Sequence, residues 1–132
     1  MAGHLPFTVA LRPGEPIAEQ VVYAVTRAVV TGQLRPGDPF PSVRALSQEL
    51  RINPNTAHRI VAALTEDGLL DVRPGIGTVV SGRLATADAE RRAQVDDEVE
   101  RLVIEGRRAG LALQDILAAV RRHWAQTSRR QP

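Results

Sequence analysis

The chain has 132 residues, 43% of them hydrophobic but only 3% aromatic, so it holds one domain, or one small domain with an accessory element, on a core of Val, Leu, Ile and Ala. It has no cysteine, which excludes disulfides and thiolate metal sites. Its net charge is only +2; the isoelectric point near 10.3 reflects the absence of lysine, which leaves almost nothing to titrate between histidine and arginine.

Total charge is therefore nearly silent about partners, and the placement of charge must carry that argument. The N-terminal stretch MAGHLPFTVALRPGEP lacks the charged start and long apolar core of a signal peptide. No apolar run is long enough to span a bilayer. The expectation is a cytoplasmic protein with no membrane association.

Residues 1–14 read as extended or disordered, with FTVAL alternating enough for a short strand. Residues 16–31 read as a first helix, with Pro16 at its first position and Ile17, Val21, Ala24, Val25, Ala28 and Val29 on its apolar face. Gly32 is a C-terminal stop, and RPGDPFP is a loop. A second helix runs over about 42–51, capped by Ser42, with Val43, Leu46 and Leu50 inward. The stretch Arg51-Ile52-Asn53-Pro54 then stops it. Asn53 is a strong cap and Pro54 a good first residue for a third helix that buries Ala57, Ile60, Val61 and Leu64 and ends near Gly68.

Two β-prone runs follow, Leu69–Val72 and Thr78–Val80, around the glycine-rich tip Arg73-Pro74-Gly75-Ile76-Gly77. They predict a hairpin. From about Asp88 the period returns to helical. Val95, Val99, Leu102, Val103 and Gly106 share one face, and Leu113, Ile116, Leu117, Val120 and Trp124 form a second stripe. These are the two arms of a helical hairpin joined at AGLAL, followed by a short frayed tail. The predicted fold is mainly α with a small β-hairpin.

Helix, short turn, helix and β-hairpin is the order of a winged helix-turn-helix. The start of the third helix carries Asn55, Thr56, His58 and Arg59 opposite its apolar face. Side chains at such a helix start reach base edges in the major groove, and its N–H groups attract phosphate.

The stretch LRPGDPFPSVRALSQELRINPNTAHRIVAALTEDGLLDVRPGIGTVVSG closely resembles the DNA-binding domain of GntR-family bacterial transcription regulators. With PIAEQ leading into the first helix, the resemblance covers about residues 10–82. The short two-helix tail resembles the YtrA-like subfamily, which lacks large effector domains. The resemblance implies a cytoplasmic homodimer that binds a palindromic double-stranded DNA operator as a repressor. It assigns DNA contact to Arg44 in PSVR, places Asn55, Thr56, His58 and Arg59 in the recognition helix, and puts Gly75 and Gly77 in the wing tip. Relatives commonly read NPNTVRR where this chain reads NPNTAHR. His58 thus stands where an arginine is common, which bears on operator sequence and affinity.

The expected division is a winged helix-turn-helix domain over 10–82 and a helical dimerisation hairpin over 85–127. A hairpin of about 40 residues cannot close its own core. Val99, Leu102, Val103, Leu113, Ile116, Leu117, Val120 and Trp124 are therefore the expected dimer interface. Arg73 is a further candidate for phosphate, with idle surface charge as its equal rival. The acidic run Asp96-Asp97-Glu98 with Glu100 reads as a solvated helix start. His4, His58 and His123 lack metal-ligand spacing, and no P-loop or nucleophile–base pair is present. A regulator without cofactor is expected, not an enzyme. A small-molecule effector of unidentified chemistry would bind between helices of the dimer, because the hairpin alone is too small to enclose a pocket. The rival reading is a winged-helix protein-interaction module without specific DNA binding, kept open by the modest charge.

Overall fold

The computed structural model describes residues 5–82 and 89–128. They form two compact units, one within 5–82 and one within 89–128. Residues 85–88 of the expected hairpin and residues 129–132 of the expected tail lie outside the described residues.

The first unit contains α1 (Ile17–Thr31), α2 (Val43–Leu50), α3 (Pro54–Glu66), β1 (Leu70–Arg73) and β2 (Gly77–Val80). Val21 and Val25 of α1, Leu46 of α2, Ile60 and Leu64 of α3, Leu70 of β1 and Val80 of β2 are essentially without solvent access. The core is aliphatic, as the composition requires. Phe7 and Phe40 add a stacked pair at its edge, with ring centroids 5.8 Å apart.

The break between α2 and α3 spans residues 51–54, and both helices are capped at their starts. Ser42 caps α2, its side chain accepting from the Ala45 N–H at 3.1 Å. At the other end Arg51 takes left-handed backbone at φ 55°, and both its N–H and that of Ile52 donate to the Ser47 carbonyl. Asn53 then restarts the helix, its side chain accepting from the Asn55 N–H at 2.7 Å. Pro54 stands at the first helical position, where its missing N–H costs nothing. Ile52, between the two helices, packs against the core.

Three local expectations need correction. FTVAL forms no strand. Phe7 turns into the core instead, and the backbone near it is tied by side chains. The Gln20 amide accepts from the Arg12 N–H at 2.6 Å and donates to the Arg12 carbonyl at 3.0 Å. Pro16 is the cap residue of α1, with extended ψ of 124°, and not its first helical residue. RPGDPFP is more than a loop: the Phe40 N–H donates to the Thr78 carbonyl at 2.9 Å, and the Val80 N–H to the Asp38 carbonyl at 2.8 Å. Pro39 bridges Val79 between those bonds, where a residue without an N–H is tolerated.

The strands reach one residue closer to the tip than the β-prone runs and take in Arg73 and Gly77, with Leu70 opposite Val80 and Arg73 opposite Gly77. Its tip is a turn in which the Ile76 N–H donates to the Arg73 carbonyl at 3.0 Å. Pro74 in the second position and Gly75 at φ 77° in the third give it the residue pattern of a type II turn, which needs positive φ there.

The second unit contains α4 (Ala89–Arg108) and α5 (Leu113–Thr127). The Leu111 N–H donates to the Gly106 carbonyl at 2.9 Å, which closes the end of α4. The Asp115 carboxylate accepts from the Ala112 N–H at 2.8 Å, which starts α5. The helices meet where Gly106 lies against Ile116. A methyl group on Gly106 would fall 2.5 Å from Ile116 Cδ1, so only glycine admits this approach without a shift. Among the described side chains of this unit almost nothing else is buried.

Arg51 is a non-glycine residue in the left-handed region, where an L-residue carries strain that glycine lacks. Arg51→Gly is expected to raise unfolding free energy by up to about 1 kcal/mol, read from chemical denaturation. A loss of stability would mean that the arginine side chain itself holds the turn.

Candidate nucleic-acid interface

The candidate residues lie on three elements of the first unit. Arg44 is the second residue of α2 and exposed. A cation in a helix's first turn opposes the macrodipole and costs a few tenths of a kcal/mol up to about 1. The fold does not profit from Arg44.

On α3, Ala57, Ile60 and Leu64 are buried. Asn55, His58, Arg59 and Ala62 recur at helical spacing on the exposed side, and all four are exposed. Thr56 is half-buried between the two faces. This polar stripe is held rigidly because its helix is anchored from beneath. Arg59 also borders an open apolar groove of about 530 Å³ between α1 and α3, beside Val22, Tyr23 and Ala63. Its stem therefore lies at the α1 edge of the stripe, while Asn55 and His58 lie further toward the helix start.

The helix start offers fewer free donors than the sequence suggests. Pro54 has no N–H, the Asn55 N–H is taken by the Asn53 side chain, and the Ala57 N–H donates to the Asn53 carbonyl at 3.0 Å. The Thr56 N–H is the first-turn donor left to meet a phosphate oxygen.

Arg73, Gly75 and Gly77 are exposed in the wing. Added methyl groups on either glycine would meet no atom within 4 Å, so the tip is slim. Ile76, between them, is 73% exposed and was not among the expected site residues. Its signal was available: an isoleucine between two turn glycines has no register that could take it into the core.

The charges in 5–82 balance, with seven arginines and seven carboxylates. They are not mixed along α3, which carries Arg59 in its second turn and Glu66 and Asp67 at its end. At 1.5 Å per residue, Arg59 and Glu66 are roughly 10 Å apart along the axis.

Among the described residues of the second unit, the expected interface residues are exposed, except that Ile116 is half-buried on Gly106. An open groove of about 630 Å³ runs between α4 and α5, where the expectation was of no enclosed pocket. Among the described residues no helix is long and apolar enough to cross a membrane. No group of three or more His, Asp or Glu among them could hold a metal ion.

Comparison with known proteins agrees with this geometry. The family model for bacterial regulatory proteins of the gntR family matches residues 17–80. The HTH-type transcriptional repressor YtrA of Bacillus subtilis is 29% identical over 106 residues, 80% of this chain and 82% of that protein. An HTH-type transcriptional regulator of Mycobacterium tuberculosis is 31% identical over 91 residues, 69% of this chain and 74% of that one. A solved structure described as a transcriptional antiterminator from Listeria monocytogenes superposes with a TM-score of 0.82 at 19% identity, covering 96% of this chain and 97% of that one. The fold is thus that of a winged-helix regulator with a C-terminal helical region, and the class is a DNA-binding transcription regulator, not an enzyme. The chain belongs to the GntR family.

Because Arg44, Asn55, His58 and Arg59 are exposed, each alanine variant is expected to change unfolding free energy by less than about 0.5 kcal/mol. Ile60→Ala, beneath them, is expected to cost about 2–5 kcal/mol. Denaturant titration of the set checks this. A large loss in any of the first four would give that side chain a structural role.

Proposed function

We propose that the protein is a homodimeric repressor whose two winged units, residues 10–82, each read one half of a palindromic operator, while the hairpin, residues 85–127, joins the copies. The observation that carries this reading is the exposed polar stripe of α3 over its buried apolar face. Repression is supported by the similarity to the B. subtilis transcriptional repressor YtrA. Dimerisation is supported by the apolar stripes of α4 and α5, which have no cover within the hairpin.

Within the reading head the roles divide by reach. Asn55 presents the donor–acceptor pair that matches adenine, and Arg59 the fork that matches guanine. His58 lies beside both on the same face. Arg44, the Thr56 N–H and Arg73 serve the phosphate backbone, where geometry is less demanding. Gly75 and Gly77 keep the wing tip thin enough to approach a narrow groove. The rival reading, a protein-interaction module, draws on the balanced charge of 5–82, since a neutral surface has little general affinity for DNA.

Electrophoretic shift with DNA from the gene's own upstream region separates the two. Binding that survives competitor DNA and weakens with salt is expected. No shift at low salt would favour the interaction module. Arg59→Ala is expected to cost about 1–3 kcal/mol on the operator and to narrow the gap to scrambled DNA. Arg44→Ala should weaken both duplexes alike and reduce the salt slope by about one. Unaltered discrimination in Arg59→Ala would move base reading to Asn55, His58 or the wing. A chain cut after Gly82 is expected to be a folded monomer with much weaker operator binding, because linked heads gain from effective concentration. A dimeric fragment in sedimentation would place the interface elsewhere.

A further inference from the structure

We propose that the α4–α5 groove is the socket for Trp124 of a second copy, so that each indole of the dimer enters the other's groove. The inference rests on the proposed homodimer and names the contact that holds it.

The groove is lined by Leu102 and Gly106 of α4, Leu111 of the turn, and Ile116 and Val120 of α5, with Trp124 at its far end. Its floor exists because Gly106 has no side chain and Ile116 fills that place. A volume of about 630 Å³ lies within the range that takes an organic group larger than an indole. Trp124 is 74% exposed, the most open large hydrophobic residue of the described chain. A knob and its socket on one surface form a self-complementary patch, which a two-fold axis satisfies twice.

Two further observations select a second copy as the occupant. Residues 89–128 carry seven arginines and seven carboxylates, so a copy meets no net repulsion. The area also fits. Fully exposed aliphatic side chains hide on the order of 60–120 Å² each, and, leaving aside Ile104 on the opposite face of α4, the hairpin carries nine large hydrophobics from Val95 to Trp124 that are about half exposed. They supply on the order of 500 Å² of apolar surface. At the roughly 65% apolar share of homodimer interfaces, that matches a patch of about 800 Å² per partner.

Trp124 is the chain's one tryptophan, so its fluorescence reports this contact alone. The full chain is diluted from high to low micromolar and below while emission maximum, iodide quenching and sedimentation are followed together. The expected result is a blue-shifted, quench-protected indole in the dimer that becomes exposed as the dimer dissociates. Trp124→Ala should weaken dimerisation by about thirty-fold or more, as loss of a central aromatic anchor does, with an unchanged circular dichroism spectrum. Ala119→Leu, which adds bulk from a residue that lines the groove, should weaken it similarly while leaving Trp124 open to iodide. A dimer whose indole stays quenchable, and whose affinity survives both substitutions, overturns the socket while sparing the homodimer. A chain that is monomeric at every concentration overturns the homodimer itself. Protection of the indole in a monomer, whether from its own chain or from an added apolar molecule, gives the groove another occupant and overturns the proposal.

Discussion

The reading head depends on one interruption of the helix, the four residues from Arg51 to Pro54. The Ser47 carbonyl accepts two N–H groups, from Arg51 and Ile52, and so ends α2 in a left-handed turn. Asn53 and Pro54 start α3 at once in a new direction. A helix running straight through would carry an unpaired proline in its interior. It would also take Ala57, Ile60 and Leu64 away from the core they share with Leu46. With the break in place, α3 is clamped from below, and Asn55, His58 and Arg59 face solvent. The face that we propose reads DNA is the outer side of a packing solution.

Charge makes the same point. The first unit is neutral over 5–82, so no general attraction to a polyanion holds it on DNA. Its cations matter through position. Arg44 sits against the dipole of α2, and Arg59 sits toward the start of α3 with Glu66 and Asp67 at the other end. Carboxylates at the far end of α3 penalise approaches that bring that end to the phosphates. A neutral head with polar ends trades general affinity for orientation, and in the proposed dimer the joining of two heads would recover affinity.

Much of this was legible in the sequence because it is written locally. Ser42, Asn53 and Pro54 are cap residues, and the structure gives them those roles. The alternation of buried and exposed residues in α3 follows the helical period. What the sequence hid was decided by distant partners. FTVAL has strand-like alternation but no neighbouring edge, so its Phe7 serves the core through Phe40. RPGDPFP has the composition of a loop, yet β2 offers it a free edge that it pairs with around Pro39. The strands run one residue nearer the tip than the β-prone residues suggest, because Pro74 and Gly75 confine the turn between Arg73 and Ile76. The groove of the second unit could not be read from two apolar stripes, since it depends on the single close approach at Gly106.

The most direct test of the central claim is a map of the amide resonances that move when the full chain is titrated with its own upstream duplex. The account predicts shifts concentrated around Arg44, over 53–59 and over 73–77, with the body of α1 from Val21 to Val29 little affected. Shifts centred on α1 or on the hairpin helices, with 53–59 unmoved, would contradict it and take the reading head off α3.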